Sequence, residues 1–303
     1  LELGKGDIGI YADTSDIDFK GENLSVSGND VKEGETGAIG IVTENSSVKN
    51  LNIDLGDNAV GIAGINGKID AENINIKTNS KNQVIGVYLG KKDDASIQKN
   101  TVKNINADIK NGYGIVMQDS SDGKGTDLIL TTNGTKNNNG SEIRNKFTIS
   151  NDKDGQKTAA VYVGNNNKFT SQNSDYTVTN SIGIAGKESS VINLENTSIN
   201  LFGKANGIYS QAGKVIIDKN SKITSLSVQN VNGGAVYAEN GIIENNGVVA
   251  GIASNFYGLA LNGNGKITNN GRVMLGGRNV IGISLQGALG DKENLIENNG
   301  SVV

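Results

Sequence analysis

Short apolar runs with a period of two recur from one end of the chain to the other, separated by polar stretches rich in Asn, Asp, Ser and Gly. Period two is the signature of a strand with one buried face; nothing persists at helical spacing. One run is built on a small residue, Gly9, Gly40, Gly61, Gly86, Gly114, Ala160, Gly183, Gly207, Ala235, Gly258 and Gly282, each followed directly by Ile, Val or Leu. Between successive copies lies an Asn: Asn23, Asn50, Asn73, Asn104, Asn145, Asn173, Asn196, Asn220, Asn246, Asn270 and Asn299. After the Asn a new alternating run begins, as in Leu51-Asn-Ile53, Ile74-Asn-Ile76 and Ile199-Asn-Leu201. The two columns interleave without a miss, so a repeat governs the whole chain.

Each repeat predicts three short strands: around the small residue, before the Asn and after it. Such a unit buries its apolar positions only by stacking on neighbours. The fold expected is therefore all-β, a right-handed parallel β-helix of eleven coils filling residues 1–303 as one segment. At the usual strand spacing it would be a rod of roughly 50 Å. An antiparallel meander would need Asn-Gly hairpin turns at each repeat Asn, and at that place in the repeat Asn-Gly occurs only in the last rungs, Asn246-Gly247, Asn270-Gly271 and Asn299-Gly300. Asn suits a sharp corner because it tolerates the left-handed region, and its amide can bond the Asn of the next coil, making a ladder. The residues before the first Asn positions, Glu22, Lys49, Glu72, Lys103 and Arg144, largely alternate in charge, as stacked neighbours should. The wide spacing from Gly114 to Asn145 expels about residues 118–141 as an inserted loop, with 127–132 as a protruding strand. Smaller excursions are expected at 27–36, 91–96 and 289–294. The solenoid pattern is cut at both ends, so a fragment of a longer protein is expected.

Composition narrows the chemistry. The chain has 42 Gly and no Pro, Cys, His or Trp, with a net charge of −4. An acidic balance argues against nucleic acid as partner, and no apolar run approaches the ~20 residues that insert into a membrane. Without His or Cys, serine triads, cysteine nucleophiles and the usual zinc sites are out of reach. Gly4-Lys-Gly6-Asp-Ile-Gly9 spells a dinucleotide fingerprint, but Gly9 belongs to the repeat and no helix follows. The acids Asp13, Asp16 and Asp18, or Asp54 and Asp57, do not gather in one column, and no enzyme activity is expected. Asn151-Asp-Lys-Asp154-Gly155 and Asp119-Ser-Ser-Asp122-Gly123 lack a full calcium loop and read as solvated turns. No cofactor and no metal are expected. The tyrosines stand out: Tyr11, Tyr88, Tyr162, Tyr209 and Tyr237 fall two places after the small residue. They should lie on the outer face beside the small-residue column, as ligand-binding candidates (Tyr88, Tyr162, Tyr209 and Tyr237 above all) or as covers for bare backbone.

With these columns in hand, the sequence resembles the passenger regions of autotransporter (type V) secreted proteins, and among them the large Asn- and Lys-rich adhesins of fusobacteria. The closing phrases Ile243-Glu-Asn-Asn-Gly247-Val, Ile267-Thr-Asn-Asn-Gly271 and Ile296-Glu-Asn-Asn-Gly300-Ser-Val carry the resemblance together with the recurring apolar-Gly-apolar strand. It implies a monomeric, surface-displayed shaft, anchored in the outer membrane by a translocator elsewhere in the parent chain. It also implies attachment to a host-cell receptor protein, a glycan or other bacteria. The alternatives are a polysaccharide-degrading β-helix and a pure spacer.

Overall fold

A computed structural model describes residues 3, 6–28, 37–65, 68–78, 80–90, 98–120, 124–134, 136, 139–152, 158–226, 230–287 and 294–303. Among them there is no helix, and every pairing between named strands is parallel. The chain winds as a β-solenoid with three sheets. The first stacks Ile8–Asp13, Ala38–Glu44, Ala59–Gly64, Ile85–Leu89, Tyr113–Met117, Ala159–Val163 and Ile182–Gly186 in that order. It goes on through Asn206–Ile217, Asn230–Asn245, Ser254–Leu261 and Ile281–Leu285. The second and third sheets hold the strands before and after the Asn; Ser46–Leu55, Ile69–Thr78 and Gln98–Lys110 each run unbroken through both. Ile8–Asp13 and Ile281–Leu285 end the stack half-open, so about nine turns are enclosed between neighbours rather than the eleven expected.

Like stacks on like along the axis. Ile41, Ile62, Val87, Ile115, Val161, Ile184, Ile208, Val236 and Leu259 form one fully buried column of the first sheet. Ile53, Ile76, Ala107, Phe147, Tyr176, Ile199 and Ile223 face it from the third. Dispersion and apolar burial are thus repeated coil by coil. In the middle coils Phe147 and Tyr176 stack at 5.0 Å and 10°, and the buried Tyr176 hydroxyl shares a hydrogen bond with Ser171 Oγ at 2.9 Å.

The small-residue column lies on the inside, not on the outer face beside the tyrosines. A Cβ on Gly40 would sit 2.8 Å from Val26 Cγ2 and 2.9 Å from Leu24 Cδ2; one on Gly86 would sit 2.9 Å from Ile76 Cδ1. The strand kinks at this position, so the small residue and the Ile or Val after it both meet the core. The missing side chain lets the third sheet's residues reach the first sheet's backbone. That is why the column is Gly or Ala.

The Asn column divides. Asn50, Asn73, Asn104, Asn173 and Asn196 all have left-handed backbones, φ 47 to 56°. Asn73 Nδ2 donates to Asn50 Oδ1 (2.8 Å), Asn104 to Asn73 (2.9 Å) and Asn196 to Asn173 (2.7 Å). Asn246, Asn270 and Asn299 also form a ladder, at 2.8 and 3.0 Å, at the same corner of the last coils, where none of them has a left-handed backbone. Asn23 and Asn145 are out of register: Asn23 stands opposite Asn52, and Asn145 opposite Ser174. Asn145 is buried and serves the interior, accepting from Ile105 N and donating to Gln172 O. Thr132 takes the corner place, accepting from Asn173 at 3.4 Å. At Asn220 the corner is held by Asp218, whose Oδ1 accepts from the N–H of Asn196 and Asn220.

The charge alternation is Asp18, Lys49, Glu72, Lys103; Glu22 is not opposite Lys49, and Arg144 instead pairs with Asp175 at 2.9 Å. The insertion is also narrower than 118–141. Thr126–Thr131 is not a protruding strand: it lies in the second sheet between Gln98–Lys110 and Lys168–Gln172, with Leu128 and Leu130 buried. Past Thr132, the described residues 133–134, 136 and 139–144 belong to no named strand; Asn133 bonds Glu72, and Arg144 bonds the carbonyls of Ser174 and Asn196. The excursions expected at 91–96 and most of 27–36 and 289–294 lie outside the described residues.

Candidate functional site

The outer surface of the second and third sheets is mostly Asn, Asp, Glu, Lys and Thr, as the register Asn52, Asn75, Asn106 and Asp54, Lys77, Asp108 illustrates. The first sheet differs. One outward column runs Ile39, Val60, Ile85, Tyr113, Ala159, Ile182, Asn206, Gly234, Tyr257 and Ile281. The other runs Tyr11, Val42, Ala63, Tyr88, Val116, Tyr162, Ala185, Tyr209, Tyr237, Ala260 and Ser284. The result is a row of half-buried aliphatic and tyrosine side chains along the solenoid, interrupted where Val42, Ala63, Ala159 and Ala260 are buried and where Asn206, Gly234 and Ser284 stand in the columns. Aromatic side chains grouped on one face favour contact with a partner.

Carboxylates fix the tyrosines in two groups. Tyr88, Tyr113 and Tyr162 cluster at the centre: Tyr113 and Tyr162 meet edge to face at 6.0 Å, and Tyr162 donates to Asp119 at 3.4 Å. At the C-terminal end Tyr209 and Tyr237 stack at 6.0 Å and 8°, Tyr209 donates to Glu239, and Asn262 donates to the Tyr237 hydroxyl at 3.2 Å. Tyr11 stands apart and donates to Glu44 at 3.3 Å. Partial burial, then the neighbouring carboxylate, pushes the phenols of Tyr162 and Tyr209 up to about 12. At neutral pH these hydroxyls are hydrogen-bond donors and not bases.

Beside the second pair is a recess of about 700 Å³ lined by Asn206, Tyr209, Gly233, Gly234, Tyr237, Asn255, Tyr257, Asn279, Val280 and Ile281. Gly234 is its floor, since the outward column has no side chain there. Asn255 and Asn279 are left-handed corners on its other side, with Asn279 donating to Asn255 at 3.1 Å. Of the sequence candidates, Tyr209 and Tyr237 belong to this recess and Tyr88 and Tyr162 to the central cluster. Asn206, Tyr257, Asn255 and Asn279 were not among them; Asn206 and Tyr257, directly before Gly207 and Gly258, had a position in the repeat to mark them, while Asn255 and Asn279 had none.

The acids do not converge. Among the described residues no group of three or more His, Cys, Asp or Glu could hold a metal ion. Asp119 bonds Tyr162 and the N–H of Asn165, and Asp152 pairs with Lys110 at 2.8 Å; residues 121–123 and 153–157 lie outside the described residues. Asp57 accepts from Ser80 Oγ and from the N–H of Lys81, fixing that loop.

Comparison with known proteins returns little. No family profile matches the chain, and no curated protein matches it. Two solved structures are similar in fold at 10% identity. One is the A-module of the Azotobacter vinelandii mannuronan C-5 epimerase AlgE4, with a TM-score of 0.27 over 93% of this chain and 90% of that one. The other is a double mutant of the periplasmic alginate epimerase AlgG, with a TM-score of 0.25 over 95% of this chain and 85% of that one. Both are polysaccharide-modifying enzymes, so the expectation that this chain is not an enzyme is withdrawn. At these scores the likeness assigns neither a reaction nor a residue.

Proposed function

We propose that the chain is a segment of a surface-displayed adhesin, a right-handed β-helical shaft that mediates attachment to host cells or other bacteria through the tyrosine-bearing face of its first sheet. The observation that supports this reading is the contrast between that face and the polar outer faces of the other two sheets. Aromatic side chains offer large contact area at small entropic loss, which favours them at binding faces. The expected parent chain, displayed at the cell surface through a translocator, belongs to the same proposal. Its test is binding of the purified segment to glycan arrays and to host cells, with loss on Tyr237→Ala; no binding in either assay would leave a pure spacer.

A second reading is a polysaccharide-acting β-helix. What favours it is the pairing of phenol and carboxylate on the same face, at Tyr11–Glu44, Tyr162–Asp119 and Tyr209–Glu239. Release of reducing ends or unsaturated products from a polysaccharide panel, lost in Glu239→Gln, would establish it.

A further inference from the structure

The recess at the C-terminal end of the aromatic face is built differently from the rest of that face. The outward column that elsewhere carries Ile39, Val60, Ile85 and Ile182 holds Asn206 and then Gly234. In the other column Tyr209 covers one face of Tyr237, while the next coil places only Ala260 against the opposite side. That second ring face has no aromatic neighbour among the described residues. Both hydroxyls are anchored, Tyr209 by Glu239 and Tyr237 by Asn262, so the rings are held before any ligand arrives.

The polar groups around the ring are amides. Asn206 Oδ1 accepts from Gly234 N at 2.9 Å, and Asn255 Oδ1 accepts from Asn279. Among the described residues, the Nδ2 groups of Asn206 and Asn255 and the Oδ1 of Asn279 have no protein partner. None of the lining residues is charged. An open ring face beside uncommitted amide donors and an acceptor matches a pyranose, with its C–H face on one side and its hydroxyls around the rim. Among the described residues no cation lines the recess: Arg278 meets the lining Asn255 through its backbone carbonyl, and the adjacent Glu239 is an anion, which disfavours a uronate or another anionic sugar.

We infer that this recess is a subsite for a neutral hexopyranose within a larger glycan, with Tyr237 as its stacking platform and Asn206, Asn255 and Asn279 as its hydroxyl partners. The inference rests on the attachment reading and narrows it to one ligand class and one place.

Saturation-transfer NMR and calorimetry on the whole segment would test it, using short neutral oligosaccharides of glucose, galactose, mannose and N-acetylglucosamine against oligomers of glucuronate and mannuronate. Tyr237→Ala removes the platform. Gly234→Leu fills the recess while leaving both rings in place; a Cβ there meets nothing nearer than Tyr257 O at 3.3 Å, and no positive φ opposes it. A neutral oligosaccharide should bind and lose about tenfold or more in affinity with either variant, while Lys77→Ala, on the outer face of the third sheet, leaves binding unchanged. If Gly234→Leu fails to show the wild-type circular dichroism spectrum, Tyr237→Ala alone decides. Binding only of uronate oligomers overturns the inference, as does glycan binding indifferent to both variants. Cell or protein binding with no oligosaccharide bound also overturns it while leaving the attachment reading intact.

Discussion

The corner between the second and third sheets is made in two ways, and the two ends of the solenoid show the difference. In the coils containing Asn50, Asn73 and Asn104 the corner residue is left-handed and outside, and the buried positions flanking it are apolar: Val48, Ala71 and Val102 before it, Leu51, Ile74 and Ile105 after it. In the last coils the column before the corner becomes Asn245, Asn269 and Asn298, and the one after it becomes Gly247, Gly271 and Gly300. Asn245 and Asn269 are fully buried, Asn245 Nδ2 donates to Asn269 Oδ1 at 2.8 Å, and Asn269 Nδ2 to Asn298 Oδ1 at 2.7 Å. An inner amide ladder thus runs beside the outer one of Asn246, Asn270 and Asn299. The first design draws stability from apolar burial and tolerates one strained backbone per turn. The second buries polar groups that are safe only while each amide has its neighbour.

Gly271→Ala separates the two designs most sharply. A Cβ there would lie 2.1 Å from Gly247 O, with no flexible side chain to yield, so a loss of about 3 kcal/mol or more is expected on thermal or urea unfolding. Asn269→Ala should follow at about 2–3 kcal/mol, because it strips the acceptor from a buried Asn245 amide. Hydrogen exchange should place that loss in the last coils, since each coil contacts only its neighbours. Glycine tells the corners apart directly: Asn73→Gly keeps the left-handed backbone and should change stability by less than about 1 kcal/mol, whereas Asn73→Val should lose about 2 kcal/mol. Asn269→Gly should be as harmful as Asn269→Ala.

A smaller effect of opposite sign is expected at Thr43. Its hydroxyl is fully buried with no partner among the described residues, so Thr43→Val should raise stability by about 1 kcal/mol. The smallest concerns Tyr162 and Tyr209. Their folded phenols sit near 12 against an ordinary 10, so their contribution is complete below pH 10 and is lost as pH rises toward 12. Alkaline titration followed by phenolate absorbance should show a late-ionising group, reduced in Tyr209→Phe.

The solenoid was legible in the sequence because its cause is periodic: inward Ile and Val columns and corner Asn residues recur at one phase. Facing was less legible. A Gly between two apolar residues reads as outward under strict alternation, and only the kink that turns Gly40 and Ile41 both inward reverses it. Asn145 looked like a corner because Asn serves equally as a corner and as a buried amide; the side chain's partners decide, and these lie one coil away. Asp127-Leu-Ile-Leu130 looked like an outgrowth because an excursion follows it instead of containing it. For the recess, Tyr209 and Tyr237 carried a signal through their place in the repeat. Gly234 and Asn255 did not, since an absent side chain and a corner amide acquire meaning only across three stacked coils.

Registry across the widest excursion is the sharpest test of the parallel stack. Asp108 lies beside Asn106 and Thr148 beside Lys146, and the register sets Asp108 opposite Thr148 on the outside of the third sheet, 40 residues apart in sequence. The chain has no cysteine of its own. Asp108→Cys with Thr148→Cys should therefore form a disulfide readily on mild oxidation, since stacked strands bring such Cα atoms to about 5 Å. Asp108→Cys with Ser150→Cys should not. Equal cross-linking of both pairs, or of neither, would contradict the stacked parallel solenoid on which the aromatic face and its recess depend.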